Sequence, residues 1–232
     1  MALETDETLP RAVIADPRAV AERWPEPRQR ALAAVAAIVT ETPWRLSRAS
    51  AGPLDDDALL HTIALASYFG HLNRIADAVA VPLDYQVRFE PPHAEPATPA
   101  LLPAPGLLGG GRILELERRP TTAAALATWR SYVMEHDSPT LTRECRGMIE
   151  HRVATLLGAP VELVREPSSK IDHALLALAE LVTLAPWQLG DHAFEPLRGE
   201  GFTDAALFEA CAVASSVGVW ARIAVATVAV GR

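Results

Sequence analysis

The stretch LDDDALLHTIALASYFGHLNRIADA, from Leu54 to Ala78, decides the fold because a similar stretch occurs a second time in the chain. From Phe202 to Ala226 the sequence reads FTDAALFEACAVASSVGVWARIAVA. Aligned without gaps, the two stretches share an acidic start, a Ser-x-x-Gly spacing and the run Arg-Ile-Ala, which begins at Arg74 and at Arg222. Apolar residues recur at helical spacing in both. The repetition predicts two related helices in one chain.

A second repeated segment precedes each of these helices. ALAAVAAIVTETPWRL (31–46) and ALLALAELVTLAPWQL (174–189) both end in Thr-x-x-Pro-Trp. Proline cannot continue a helix, and it biases the preceding residue away from the α region. Each unit is therefore predicted as a helix, a Pro-Trp stop, a short connection and a long helix. Acidic residues cap the start of that long helix, Asp55 to Asp57 in the first copy and Asp204 in the second.

The rest of the pattern is also helical, with no sustained alternation of apolar and polar residues. Helices are predicted at 121–136 and at 142–157, and Gly158 is well placed to end the second one. We predict an all-α fold, a helical bundle of two structurally related repeats.

The stretch from 86 to 112 separates the repeats and is rich in proline, with a triple glycine. Such a composition is typical of a linker or an extended wrapping arm. The predicted organisation is an N-terminal helical half at 1–88, a Pro/Gly-rich linker at 89–118 and a C-terminal helical half at 119–232. Four leucines suggest that parts of the linker pack on a surface: Leu101, Leu102, Leu107 and Leu108.

The composition of the chain limits the kinds of partner and the compartments that we expect for it. The chain has 232 residues and a formal net charge of −8, and it carries no extended basic patch, so we expect no nucleic-acid partner. The two cysteines suit a reducing compartment, and the acidic N-terminus shows no secretory signal, so we expect a cytoplasmic protein. Glu209 and Arg222 interrupt the apolar C-terminal run, so no membrane span is expected.

The order of these segments resembles the alkylhydroperoxidase-D/carboxymuconolactone decarboxylase superfamily. The resemblance rests on the Thr-x-x-Pro break, the GFTD start and the long alanine-rich helix ending near Asn-Arg-Ile-Ala. LTRECRGMIEHRVATLLG (141–158) is similar to that family's lead-in to its catalytic helix. The likeness covers 28–85 and about 141–230. It implies an all-helical bundle that forms homo-oligomers.

The sequence departs from the peroxidase branch of that family at the thiol site. In that branch a Cys-x-x-Cys pair at a helix start reduces the peroxide. Aligning RVATLLG places Ala159 and Glu162 at the two Cys positions, and Gly147 at the family's Glu. No Cys-x-x-Cys occurs in the chain, so two-cysteine peroxide reduction is excluded.

Candidate catalytic residues remain on the predicted helix 142–157. Glu144 and His151 share one helical face and could perform general acid–base chemistry, as the decarboxylase branch would require. Cys145 could act as a lone peroxidatic thiol if a neighbouring arginine lowered its pKa. The structural alternative is an amphipathic helix with ordinary ion pairs and a core cysteine.

Candidate binding residues lie on the first long helix: His61, His71, Asn73 and Arg74. The second copy is mostly apolar at these positions, so a polar pocket built by the first unit alone is one interpretation. The other is that Arg74 and Arg222 anchor helix ends by bonding carbonyl groups, while the remaining polar residues face solvent or an oligomer interface. No metal-ligand spacing and no cofactor motif is present, so neither a metal nor a cofactor is expected.

Two functional hypotheses follow from the sequence. The chain is either a peroxidase-related or decarboxylase-like enzyme acting on a small molecule without the thiol pair, or a non-catalytic helical homo-oligomer that binds a ligand or another protein. Enzyme status stays open at this point, and a homo-oligomer with a small-molecule ligand is the expected set of partners.

Overall fold

The computed structural model describes residues 24–81, 119–136, 138–159, 161 and 163–230. All regular structure in these ranges is helical, which confirms the all-α prediction. The predicted linker at 89–118 lies outside the described residues. The eight α-helices of the described ranges are α1 (Pro27–Glu41), α2 (Arg48–Ala51), α3 (Asp56–Ala78), α4 (Pro120–Glu135), α5 (Arg143–Leu156), α6 (Lys170–Leu184), α7 (Asp191–Gly199) and α8 (Asp204–Val230).

Local sequence signals set the helix ends. The Asp55 carboxylate accepts a hydrogen bond from the Ala58 amide at 2.7 Å and so caps α3. Thr142 caps α5 in the same way through the Cys145 amide. Gly158 follows α5 with a φ of 78°, a left-handed conformation that glycine adopts without strain. The sequence predicts the roles of Asp55 and Gly158, whereas Thr142, predicted as the first helical residue, is the cap that precedes the helix.

The two Pro-Trp stops have nearly the same backbone shape. Each forms a short 3₁₀ helix, Pro43–Arg45 after α1 and Pro186–Gln188 after α6. The residue before the proline has φ −142° and ψ 62° at Thr42, and φ −143° and ψ 56° at Ala185. These values lie outside the α region, as expected ahead of proline. The stops therefore turn the chain in the same way at both places.

Helix α8 lies between two apolar clusters and belongs to both. One cluster joins α8 to α5 and α6 through side chains such as Ile149, Leu178 and Cys211. The other joins α8 to α1 and α3, with Ile223 of α8 beside Val35 and Ile63. α8 is thus buried on several sides, whereas α3 keeps one side open. This difference in burial explains why the second copy of the repeated helix is mostly apolar.

By length and composition alone, α8 could cross a membrane. However, 72% of its most apolar segment of 18 residues is buried inside the protein. A helix that is apolar all round needs partners on every side, and the neighbouring helices supply most of them here.

Candidate functional site

Arg74 of α3 is buried and donates only to backbone carbonyl groups in the described residues. Its Nη1 donates to the carbonyl oxygen of Gly70 at 2.8 Å, one turn back on the same helix. Its Nη2 and Nε donate to the carbonyl oxygen of Thr183 at 3.1 and 3.3 Å. Thr183 lies in the last turn of α6, so Arg74 ties the first long helix to the other half of the chain.

Arg222 of α8 repeats this arrangement in the opposite direction. Its Nη1 donates to the Gly218 carbonyl oxygen at 3.2 Å, again one turn back. Its Nε donates to the carbonyl oxygen of Thr40, in the last turn of α1, at 3.1 Å. Its Nη2 lies 3.4 Å from the Thr183 oxygen, which therefore accepts from both arginines. Each long helix thus bonds the preceding helix of the opposite unit.

The glycines one turn before these arginines make room for the guanidinium groups. A Cβ atom on Gly70 would lie 2.8 Å from Nη1 of Arg74, and one on Gly218 would lie 2.8 Å from Nη1 of Arg222. Both distances are shorter than ordinary van der Waals contact. The shared Ser-x-x-Gly-x-x-x-Arg pattern therefore has a steric cause at its Gly-Arg part.

Burial dominates the electrostatics of the two arginines. Desolvation lowers the pKa of Arg74 to about 10, and the nearby Asp77 carboxylate opposes that shift. Desolvation also lowers the pKa of Arg222, and the positive charge of Arg74 lowers it further. The carbonyl ends of α1 and α6 face these groups and carry partial negative charge. The helix ends thus compensate two like charges in the interior.

His71 is half-buried in a cluster of rings next to α8. The Ser215 hydroxyl donates to the His71 carbonyl oxygen at 3.1 Å, so its oxygen is left to accept from Nδ1 of His71 at 2.7 Å. The His71 ring lies edge-on to Trp129 with 5.2 Å between centroids, and Trp129 lies edge-on to Trp220 at 5.7 Å. Burial lowers the pKa of His71, the hydrogen bond with Ser215 opposes the shift, and Arg74 adds to it.

The four predicted binding residues do not converge on one pocket. Arg74 is buried and His71 half-buried, whereas His61 and Asn73 are exposed. His61 and His71 are ten residues apart on one helix, which is about 15 Å along its axis. Nε2 of His61 lies 3.0 Å from Nη1 of Arg119, far from the Arg74 carbonyl contacts.

The predicted catalytic residues of α5 have structural partners. Glu144 is exposed and forms an ion pair with Arg165, which also binds Asp172 at the start of α6. Nδ1 of His151 lies 2.9 Å from the Val161 carbonyl oxygen. Cys145 is half-buried in the first turn of the helix, and its amide donates to the capping Thr142 hydroxyl. Seven residues separate Glu144 from His151, about 10 Å along the axis, so the two do not bond each other.

A buried polar network that the sequence did not reveal connects α5 to α8. The guanidinium group of Arg146, 2% exposed, pairs with the Glu209 carboxylate and donates to the carbonyl oxygens of Leu141 and Val133. Ser138 and Thr140 also donate to Glu209. The signal that could have found it is Glu209, an acid among the apolar residues that follow Asp204 in α8, since a buried charge requires a partner.

The second cysteine is shielded from solvent. Cys211 of α8 is 1% exposed, and burial raises the pKa of its thiol to about 12. A thiol with a raised pKa is a poor nucleophile because the thiolate is the reactive form. Within the ranges described, no three His, Cys, Asp or Glu side chains lie close enough together to hold a metal ion.

Comparison with known proteins adds no relative to this picture. No protein-family model matches the chain, and no curated protein or solved structure does.

Proposed function

We propose that this protein is a non-catalytic helical scaffold, built from two fused units of the alkylhydroperoxidase-D/carboxymuconolactone decarboxylase type. The support for two related units is geometric. Both Pro-Trp stops have matching backbone angles, and Arg74 and Arg222 bond the opposite unit in the same way. Both features are what duplication of one helical unit would produce.

The main support for a protein without catalytic activity is that the candidate catalytic side chains make structural contacts. Glu144 is held by Arg165 and His151 lies against a backbone carbonyl, so each makes a contact that stabilises the fold. The sequence lacks the Cys-x-x-Cys pair, and the Cys211 thiol is buried. These groups serve the structure of α5 and of its connection to α6.

The scaffold is proposed to act in the cytoplasm as a homo-oligomer, without a cofactor, and to bind a small molecule or another protein. Self-association follows from the resemblance, since family members pack helices of this kind between chains. Sedimentation and light scattering test it directly. A mass that is a multiple of the 24.9 kDa chain supports the proposal. A particle of one chain at all concentrations contradicts it.

Turnover assays test the absence of catalysis. We expect no reduction of hydrogen peroxide above the buffer rate with dithiothreitol as electron donor, and no decarboxylation of carboxymuconolactone. Glu144→Gln and His151→Gln are the matched variants. A wild-type rate that either substitution abolishes while the fold is retained, by circular dichroism, would show that α5 carries an active site.

A lone-thiol enzyme is the second candidate, because Cys145 lies in the first turn of α5 and is half-buried rather than buried. The first turn of a helix stabilises a thiolate. Comparing peroxide turnover in the wild type, Cys145→Ser and Cys211→Ser separates the candidates. Loss of turnover in Cys145→Ser alone supports the thiol enzyme, and equal background rates in all three proteins remove it.

A further inference from the structure

One side of α3 carries large apolar side chains that the described residues leave open to solvent. Five of them are about half exposed: Leu65 (55%), Tyr68 (47%), Phe69 (57%), Leu72 (42%) and Val79 (47%). These five residues are here called the outer stripe. They are spaced by three, four or seven residues, so they lie along one side of the helix. The outward side of a surface helix is normally polar, and a contiguous apolar strip marks a contact surface.

The related helix α8 buries the corresponding positions. Leu65 and Phe69 of α3 align with Val213 and Val217 of α8 in the gap-free alignment. Val213 is 1% exposed and Val217 is fully buried, both in the apolar cluster that joins α8 to α5 and α6. This side of the repeated sequence therefore packs against other helices in α8. On α3 the described residues leave the same side uncovered.

The outer stripe suits an apolar helical partner better than a small molecule or a charged one. A helix surface is convex, whereas small-molecule sites are concave. The sequence has no Asp, Glu, Lys or Arg between Asp57 and Arg74, and Arg74 is buried against the Thr183 carbonyl oxygen. Asp77 is two positions from Val79 and so projects from a different side of the helix. No like charges would therefore meet if two copies of the stripe approached each other.

The repeated helix already pairs with its own copy inside the chain. α3 packs more extensively against α8 than against any other described helix. Arg74 and Arg222 bond crosswise, one to the end of α6 and the other to the end of α1. Reciprocal contacts of this kind are the pattern of an isologous interface, in which one surface binds its own copy. A second contact between like helices needs only another apolar side, and α3 has one.

The area of the outer stripe is close to what a specific dimer needs. Five large side chains at about half exposure present roughly 100 Å² each, or roughly 500 Å² per copy. A two-fold contact buries the same patch on both partners, roughly 1,000 Å² in total, which is the lower size limit for a specific interface. His61 and Asn73 are exposed beside the stripe and supply polar groups for the rim.

We infer that two copies of the chain associate through the outer stripe, with their α3 helices packed face to face about a two-fold axis. Burial of the apolar side chains supplies the affinity. The inference assigns a surface to the homo-oligomer of the proposed function, and it rests on that part of the proposal.

Charge substitutions in the stripe test the contact by sedimentation velocity. The variant Leu65→Lys, Leu72→Lys places like charges on both copies of the face, and it lowers the net negative charge, so a loss of association cannot come from overall repulsion. We expect its dissociation constant to rise by about tenfold or more. The matched control Val164→Lys, Phe208→Lys replaces apolar residues of similar exposure outside α3 and should associate like the wild type.

A charge-reversed partner tests whether the stripe binds its own copy. The variant Leu65→Glu, Leu72→Glu should also dissociate, and mixing it with the lysine variant should restore association, because opposite charges then meet across the two-fold axis. Far-ultraviolet circular dichroism of each variant should match the wild type. A mixture of two folded variants that stays dissociated overturns the inference.

Photo-crosslinking reads the contact without adding a charge. A benzophenone side chain replaces Phe69 in a mixture of isotope-labelled and unlabelled full chains. Crosslinked peptides that join α3 of a labelled chain to α3 of an unlabelled chain are expected. Crosslinks from position 69 only within one chain would show that another part of the same molecule occupies the stripe, and they overturn the inference.

The sedimentation results separate this inference from the proposed function. A wild-type oligomer that persists in the Leu65→Lys, Leu72→Lys variant overturns the surface assigned here and leaves the homo-oligomer intact. Equal loss of association in the Val164→Lys, Phe208→Lys control also overturns the assignment. A wild-type particle of one chain at all concentrations overturns both the assignment and the homo-oligomer.

Discussion

Two buried guanidinium groups lie where α3 and α8 meet the last turns of α1 and α6. Arg74 and Arg222 both donate to the Thr183 carbonyl oxygen, and each also bonds its own helix one turn back. Their shared acceptor and their like charges couple them energetically. Removing one arginine relieves the repulsion between the two charges and leaves the Thr183 carbonyl oxygen bonded to the other arginine. The stability that a single variant loses is therefore partly regained.

The substitutions Arg74→Met and Arg222→Met should therefore be more than additive. Each alone is expected to lower the free energy of unfolding by about 1–3 kcal/mol, through the carbonyl groups it leaves unbonded. The double variant should lose about 1 kcal/mol more than the sum, because only then does Thr183 lack a donor. Urea unfolding measures this, and the exposed Arg48→Met is a control expected to cost less than about 1 kcal/mol. An additive or less-than-additive result contradicts the coupling.

Gly218→Ala should destabilise the protein although alanine favours helices. The helix preference gains about 1 kcal/mol. The new methyl group displaces the Arg222 guanidinium and weakens buried hydrogen bonds, which costs about 1–3 kcal/mol. Gly199→Ala in α7 is the matched control, since a Cβ there meets no atom within 4 Å and should be neutral or stabilising. Thermal unfolding compares the two, and a Gly218→Ala protein as stable as Gly199→Ala would contradict the steric argument.

His71 should make stability fall as the solution is acidified. Its pKa in the folded protein lies below the ordinary value of 6.5. The unfolded chain therefore takes up a proton at higher pH than the folded one, and stability decreases as the pH falls from about 6.5 through the folded pKa. His71→Asn keeps a nitrogen donor for Ser215 but does not titrate. Urea unfolding at pH 8 and pH 5.5 should show a larger loss in the wild type than in this variant, and equal losses count against the assignment.

At the scale of helices, α5 and α8 are connected by one buried ion pair within an apolar cluster. Arg146 is almost fully buried, whereas its partner Glu209 retains some exposure. Removing the acid leaves a buried cation whose only partners in the described residues are carbonyl groups. Such an orphaned charge is more costly than the pair itself is stabilising.

Glu209→Gln should lower the free energy of unfolding by about 3 kcal/mol for this reason. The matched control is Glu180→Gln, which breaks the ion pair with Arg152 at side chains that are about 40% exposed. That loss should stay below about 1 kcal/mol. Urea unfolding of both variants checks the contrast, and comparable losses would mean that the Arg146 charge is not buried as described.

The helices could be predicted from the sequence because their signals are local. Asp55 and Thr142 cap helices, Gly158 ends one, and prolines stop two more, all within a few residues of the feature they set. The contacts of Arg74 could not be located in the same way, because its acceptors are backbone carbonyl groups, which carry no residue identity. The face shared by Glu144 and His151 was evident, but their partners come from the later connection to α6.

At the scale of the whole molecule, the helices that carry the two sequence repeats share their interior through α8. Helix α8 supplies Val217 and Val225 to one apolar cluster and Val219 and Ile223 to the other. The crosswise bonds of the two arginines link the same units a second time. We therefore expect the helices on both sides of α8 to lose their packing together.

The protein should therefore unfold in one cooperative transition. Guanidinium titrations followed by tryptophan fluorescence and by far-ultraviolet circular dichroism are expected to coincide. Two separated midpoints would show that the halves are thermodynamically independent.

Because Cys211 is buried, its rate of reaction with a reagent in solution reports how often the interior of the molecule opens. Cys211 is 1% exposed and burial raises the pKa of its thiol to about 12, so very little thiolate forms at pH 8 while α8 stays packed. Alkylation of that sulfur by iodoacetamide consequently requires α8 to separate from its neighbours, whereas Cys145 is partly accessible in the native state. The ratio of the two labelling rates follows how often the interior is transiently exposed, without denaturant.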